Sequence, residues 1–225
     1  MENVTRIRSS SLFIGRIVWR YKVVSTLLLI GLLSSTAYFL LKHPALRNLG
    51  HGSAAEIANL KASWNKGEIV VFVRHAERCD QSNATCLSVK EGITARGSDT
   101  AREVGEEFQR LGLNNTDVFS SPLPRTKQTA AFMFHREVET QTWLADCRIK
   151  MLANAIKHKA AGHNLILVTH SDCIREVEKS LKVSLPGKPA YTSSLFISLS
   201  ATNTRPHALG FVDASAFAAD FNPIP

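Results

Sequence analysis

The chain has 225 residues, 44% hydrophobic and 20% charged, with 12 Gly and 8 Pro. That supports one large domain with an accessory segment and excludes a collagen-like, low-complexity or small disulfide-scaffold chain. The formal net charge is +8, but residues 1–42 hold six Lys or Arg against one acid and residues 43–225 hold 21 against 18, so the basicity belongs to the first segment and no nucleic-acid partner is expected.

Residues 1–22 form a basic tail. Val23 to Leu41 follows as 19 residues without a charge, long enough to cross a hydrocarbon core of ~30 Å as a helix. Arg6, Arg8, Arg16, Arg20 and Lys22 precede it, and only Lys42 and Arg47 follow closely. That asymmetry puts the N-terminus in the cytoplasm and the remainder outside. The competing reading is a cleaved signal peptide, but its apolar stretch is usually shorter, and Ser35-Thr36-Ala37 makes a poor cleavage site. The expectation is a single-pass inner-membrane anchor at 23–41, a linker at 42–52, and a globular domain at 53–225 in a bacterial periplasm.

Export agrees with the cysteines, because disulfides persist in an oxidising compartment. Four cysteines allow three pairings. Cys79 and Cys86 close the short polar loop DQSNAT, which leaves Cys147 with Cys173. Four buried free thiols are the alternative. No Cys-x-x-Cys spacing occurs, so no metal is expected.

Within the domain, Ser53 with Glu56 three residues on has the pattern of a capping box and opens a helix to about Trp64. IVVFV at 69–73 is short, apolar and β-branched, as in a strand buried on both faces. Thr94–Leu111 is an amphipathic helix with Ala101, Val104, Phe108 and Leu111 on one face. A short strand at Asp117–Ser120 is followed by a helix opened by Pro124 and running to Met133. A helix is expected at 148–160, a second apolar strand at Asn164–Thr169, a helix at Asp172–Leu181, and strands at 195–200 and 208–213. The alternation predicts an α/β three-layer sandwich with a mainly parallel sheet flanked by helices.

In such sheets ligands bind beyond the carboxyl ends of the strands. Arg74-His75, Ser120-Ser121-Pro122 before Arg125, and Thr169-His170-Ser171 all lie at such ends. An arginine fork matches phosphate oxygens in pairs. A neutral imidazole is a competent nucleophile. Phosphoryl transfer asks mainly for positioning and charge stabilisation, which these groups supply without a cofactor.

Arg74-His75-Ala76-Glu77 resembles the Arg-His-Gly-Glu signature of the histidine phosphatase superfamily, which includes the phosphoglycerate mutases. Ile93-Thr94-Ala95-Arg96-Gly97 resembles that family's Leu-Thr-x-x-Gly helix start. Ser120 to Ala130 resembles its second-arginine motif, and Val168-Thr169-His170-Ser171 its second-histidine motif. The resemblance covers roughly residues 68–180. It implies that His75 attacks phosphorus and that Arg74, Arg125 and His170 hold the phosphate. Ala76 departs from the usual Gly.

The run His75 to Asp80 with Cys86-Leu87-Ser88 is similar to the family's exported branch, which includes phosphatases of lipopolysaccharide core heptose phosphate. That branch would also explain the apolar N-terminal segment and the positions of the cysteines. It implies a phosphomonoester substrate on lipopolysaccharide. The acid that protonates the leaving group is open between Asp146, Asp172, Glu77 and none of them. The leading reading is a metal-independent phosphomonoesterase working through a phosphohistidine. The alternatives are a non-catalytic envelope module that binds phosphorylated ligands, and a mutase-like phosphotransferase.

Overall fold

The computed structural model of the chain describes residues 5–41, 43–148, 150–199 and 205–220. It divides into two compact units, Met1–His43 and Pro44–Pro225.

The first unit is one helix, α1 (Thr5–Leu41). Its side chains are described over 19–36 and at Tyr38. Leu27, Leu28, Ile30, Leu32 and Leu33 are all exposed. The hydroxyls of Ser25 and Thr26 donate to the Lys22 carbonyl and that of Thr36 to the Leu32 carbonyl, at 2.8–2.9 Å. Arg20 and Lys22 leave only the 14 uncharged residues 23–36 within the described stretch. Among the described residues no helix is long and apolar enough to cross a membrane. The expected span at 23–41 is therefore helical, but the side chains at 37 and 39–41 lie outside the described ones.

The second unit begins at Pro44, so most of the stretch expected as a linker is part of the domain. Leu46 N–H donates to the Ser184 carbonyl at 2.8 Å, Phe211 N–H donates to the Arg47 carbonyl at 3.0 Å, and Leu49 is buried. The Ser53–Glu56 capping box forms and opens α2 (Ala54–Asn65). Trp64 packs inside and donates its indole N–H to the Gly112 carbonyl at 2.8 Å. Gly67 then turns the chain at φ +66°, where a Cβ would strike the Gly162 carbonyl at 2.0 Å; only glycine fits.

The remaining elements are β1 (Ile69–Arg74), α3 (Ala95–Leu111), β2 (Thr116–Ser120), α4 (Pro124–Phe134), β3 (Glu139–Thr140), α5 (Met151–His158), β4 (Asn164–Thr169), α6 (Ser171–Leu181), β5 (Ser194–Ser198), β6 (His207–Val212) and α7 (Ala214–Asp220). The strand order is β3-β2-β4-β1-β5-β6. The first four are parallel, whereas β5 runs antiparallel to β1, and β6 to β5. The sheet is thus mixed rather than mainly parallel. Antiparallel neighbours such as β5 and β6 need no crossover.

Alternation along β1 divides the core. Ile69, Val71 and Val73 join Leu60, Val104, Phe108, Met133 and Phe217, from α2, α3, α4 and α7. Val70 and Phe72 join Leu152, Ala155, Ile174 and Val177, from α5 and α6. Every residue of β1 and β4 is buried, as expected of strands covered on both faces. The three layers of the sequence reading are present. The helix expected at 148–160 is shorter, because Cys147 is tied to α6 and Asp146 accepts the Arg148 N–H in a turn.

Candidate active site

Strands β2, β4 and β1 are neighbours, so three chain segments end side by side. Arg74 lies opposite Thr169, and Ser120 opposite Val168. The ladder extends one step further, with His75 N–H donating to the Thr169 carbonyl at 2.9 Å and Ser121 N–H to the Val168 carbonyl at 3.0 Å. Beyond that step the backbone stops pairing and the side chains of His75, His170 and Ser121 meet.

His75 is 3% exposed. Its Nδ1 lies 2.8 Å from the Ala76 carbonyl. A carbonyl can only accept, so Nδ1 carries the hydrogen and Nε2 keeps the lone pair. Burial, with His170, Arg125 and Arg74 nearby, pushes the pKa of His75 down to about 2 against the opposing Ala76 bond. The ring is neutral at neutral pH and competent as a nucleophile.

His170 stands 5.5 Å away, centroid to centroid. Its Nε2 lies 3.0 Å from Ser121 Oγ, and its buried Nδ1 has no hydrogen-bond partner among the described residues. Burial first, then Arg125 and Arg78, push its pKa down to about 4. Arg74 donates from Nη1 to the Pro189 carbonyl at 2.5 Å, and its Cζ lies 3.8 Å from the centre of the Tyr191 ring. Arg125 enters behind Pro124, which starts α4. Burial lowers the pKa of both guanidiniums, yet an arginine stays charged.

The Nε atoms of Arg74 and Arg125 are also buried, with no hydrogen-bond partner among the described residues. Buried donors are nearly always paired, and each exception calls for an explanation. Three of them on the side chains that shift the His75 pKa suit an anion with several acceptor oxygens.

The three candidate acids differ. Glu77 accepts from Arg96 Nε at 2.6 Å and from the Thr94 hydroxyl at 2.8 Å. Chiefly through Arg96, its pKa is lowered to about 2. Gly97 permits this approach, since a Cβ there would lie 3.1 Å from the Glu77 nitrogen. Asp146 accepts both the backbone N–H and the Nε–H of Arg148 at 3.2 Å, which lowers its pKa. Asp172 is exposed in the first turn of α6, and its charge acts on His170 and Arg74. Among the described residues it has no ion pair of its own.

Ala76 has no positive φ and donates its N–H to Thr129 Oγ1 at 2.9 Å, so replacing the usual Gly costs no backbone strain. Both expected disulfides form, Cys79–Cys86 and Cys147–Cys173. The first closes the loop after His75, and the second ties the turn after Leu144 to α6 behind His170.

Three groups near the site were not read from the sequence as functional: Tyr191, Arg78 and the hydroxyl of Ser121. Arg78 is gripped by Asp80 through two hydrogen bonds, and its charge acts on Arg74, Arg125 and His170. Arg78 sits in the His75–Asp80 run, which was the available signal. Tyr191 carries none, because its contacts are distant in sequence.

The profile of the histidine phosphatase superfamily (branch 1) matches residues 70–147. The lipopolysaccharide core heptose(II)-phosphate phosphatase of Salmonella paratyphi B is 35% identical over 139 residues, covering 60% of this chain and 68% of that one. The chain belongs to the histidine phosphatase superfamily. The family and the phosphatase names of these relatives together support a phosphoric monoester hydrolase.

The protein of the same name from Salmonella arizonae is 35% identical over 130 residues, 56% of this chain and 64% of the relative. The match thus spans just under two thirds of that relative's length. Among solved structures, open reading frame Rv3214 of Mycobacterium tuberculosis aligns with a TM-score of 0.50 at 17% identity, over 65% of this chain and 98% of that one. The protein histidine phosphatase SixA, complexed with tungstate, aligns with a TM-score of 0.52 at 13% identity, over 65% and 97%. At those identities the likeness is one of fold, the α/β phosphoglycerate mutase-like sandwich.

Proposed function

We propose that the domain hydrolyses phosphomonoesters through a phosphohistidine on His75. The observation that carries this reading is the Nδ1–H···O=C bond from His75 to Ala76 in a buried, neutral ring. It leaves Nε2 as the nucleophile. That nitrogen attacks phosphorus, an Nε2–P bond forms, and the P–O bond to the leaving group breaks. Arg74, Arg125 and His170 stabilise the charge on the phosphoryl oxygens. The leaving oxygen takes its proton at the rim, where Asp172 relays it from water. Water then attacks phosphorus, releases inorganic phosphate and returns the neutral imidazole. The two arginines supply the charge stabilisation for which other phosphatases recruit a metal.

The substrate reading is a heptose phosphate of the lipopolysaccharide core, supported by the names of the Salmonella relatives. The location reading is the periplasmic face of a bacterial inner membrane, with α1 as anchor. It is supported by the charge asymmetry about residue 23, by the exposed leucines, and by serine and threonine hydroxyls that bond within the helix. In lipid, polar groups must be satisfied internally.

The test is phosphate release from a panel of lipopolysaccharide, sugar phosphates, nucleotides and an aryl phosphate, with and without chelator. Chelator-resistant turnover with preference for lipopolysaccharide is expected. Binding of phosphate without turnover of any member would point to a ligand-binding module instead.

A further inference from the structure

The segment just before β5 closes over the first arginine. The Pro189 carbonyl accepts from Arg74 Nη1 at 2.5 Å. The Tyr191 ring lies against the guanidinium, 3.8 Å from Cζ to the ring centre. Thr192 N–H donates to the Arg74 carbonyl at 3.1 Å, and Arg74 N–H donates to the Ser193 carbonyl at 3.0 Å. Thr192 holds this shape fully buried at φ 58°, a left-handed conformation rare for a β-branched residue. Such strain persists where the surroundings enforce it, and it clusters at sites that clamp ligands. The Tyr191 ring also lies 5.7 Å from that of His75, and its hydroxyl donates to Gln81 Oε1 at 3.4 Å, inside the Cys79–Cys86 loop.

We infer that Tyr191 is the positioning residue for Arg74, holding the guanidinium plane so that its remaining donors face the phosphate beside His75. This rests on the phosphatase reading and adds to it a group that no motif marks. A guanidinium on a long stem loses several rotamers when it binds an oxyanion. The carbonyl of Pro189 anchors one nitrogen, and the ring face fixes the plane. Both constraints are met before phosphate arrives, so phosphate binding does not have to order the fork. The hydroxyl links the clamp to the disulfide loop and is secondary to the ring.

The test measures binding of inorganic phosphate to the full chain by calorimetry, alongside hydrolysis of an aryl phosphate. Tyr191→Ala is expected to weaken phosphate binding and raise KM together by about tenfold. Tyr191→Phe, which keeps the ring, is expected to restore affinity to within about threefold of the parent. In an Arg74→Lys background, which lacks the planar fork, the Tyr191→Ala change is expected to cost less than about threefold. Tyr191→Leu replaces the Ala variant if that one fails to fold, because it keeps apolar bulk without a π face. An Ala or Leu variant that binds phosphate like the parent overturns the inference. So does a Phe variant as weak as the Ala variant, or an equal loss with Lys at 74. If the parent itself neither binds nor releases phosphate, the phosphatase reading has failed instead, and His75→Ala separates the two by keeping binding while losing turnover.

Discussion

The carboxyl ends of β1 and β4 are neighbours in register, and each hands the chain to a histidine, yet the two histidines are held differently. His75 bonds through Nδ1 to the carbonyl of the very next residue, and its chain continues into a loop closed by Cys79–Cys86. His170 becomes the N-cap of α6 and takes its ring contact from Ser121, 49 residues away in sequence. A local backbone bond fixes one tautomer and frees Nε2 for attack. A contact to a hydroxyl, which can both give and take a hydrogen bond, leaves a ring suited to holding oxygen. The proposed mechanism uses this difference, giving attack to His75 and charge stabilisation to His170.

The sharpest way to break that comparison is to remove each ring in turn. His75→Ala is expected to lower kcat by about a thousandfold or more, because no other group forms the covalent intermediate. His170→Ala is expected to lower kcat by about a hundredfold, the typical cost of one oxyanion donor. Equal losses with no phosphoenzyme in either variant would erase the distinction. Single-turnover assays with an aryl phosphate read both.

The disulfides test how far each strand end depends on its brace. In the chain-entropy model the Cys79–Cys86 link is worth roughly 2–3 kcal/mol and the Cys147–Cys173 link about 3–4 kcal/mol. Paired Cys→Ser variants should lose stability in that order, measured by urea titration. The first pair should lower activity more than its stability cost implies, since its loop follows His75 directly.

Acid should weaken the molecule through both histidines. Their folded pKa values are depressed to about 2 and about 4, whereas the unfolded chain takes up these protons below about pH 6.5. The unfolded state binds more protons in between, so this stability is full above about pH 6.5 and is lost as pH falls toward 4. Glu77, lowered to about 2, adds a loss only below about pH 4.5. A melting temperature that falls between pH 6.5 and 4.5, and falls less steeply in His170→Ala, is expected. The smallest effect is Ser121→Ala, about fivefold in kcat, with no further loss once His170 is removed.

How much of this was legible follows from where each signal sits in the chain. β1 and β4 read correctly because each is six consecutive buried residues, and α2 and α3 because Ser53 and Thr94 cap them locally. β3 did not read, being two exposed residues at a sheet edge without periodicity, and neither did the short, alanine-rich α7. The direction of β5 is a tertiary choice that an apolar run does not encode. Arg74, His75, Arg125 and His170 were legible because strand ends and motifs mark them. Asp146 and Glu77 pair with Arg148 and Arg96, contacts that the motifs themselves do not mark. Tyr191 reaches Gln81 across 110 residues, and only the folded chain brings it onto Arg74.

The most direct test of the division between the two histidines is to quench the enzyme during turnover of a labelled phosphomonoester and locate the acid-labile phosphate by peptide mass spectrometry and phosphorus NMR. The account predicts phosphate on His75, bonded to Nε2, and none on His170. Phosphate on His170, on His75 Nδ1, or hydrolysis at full rate with no phosphoenzyme at all would contradict it.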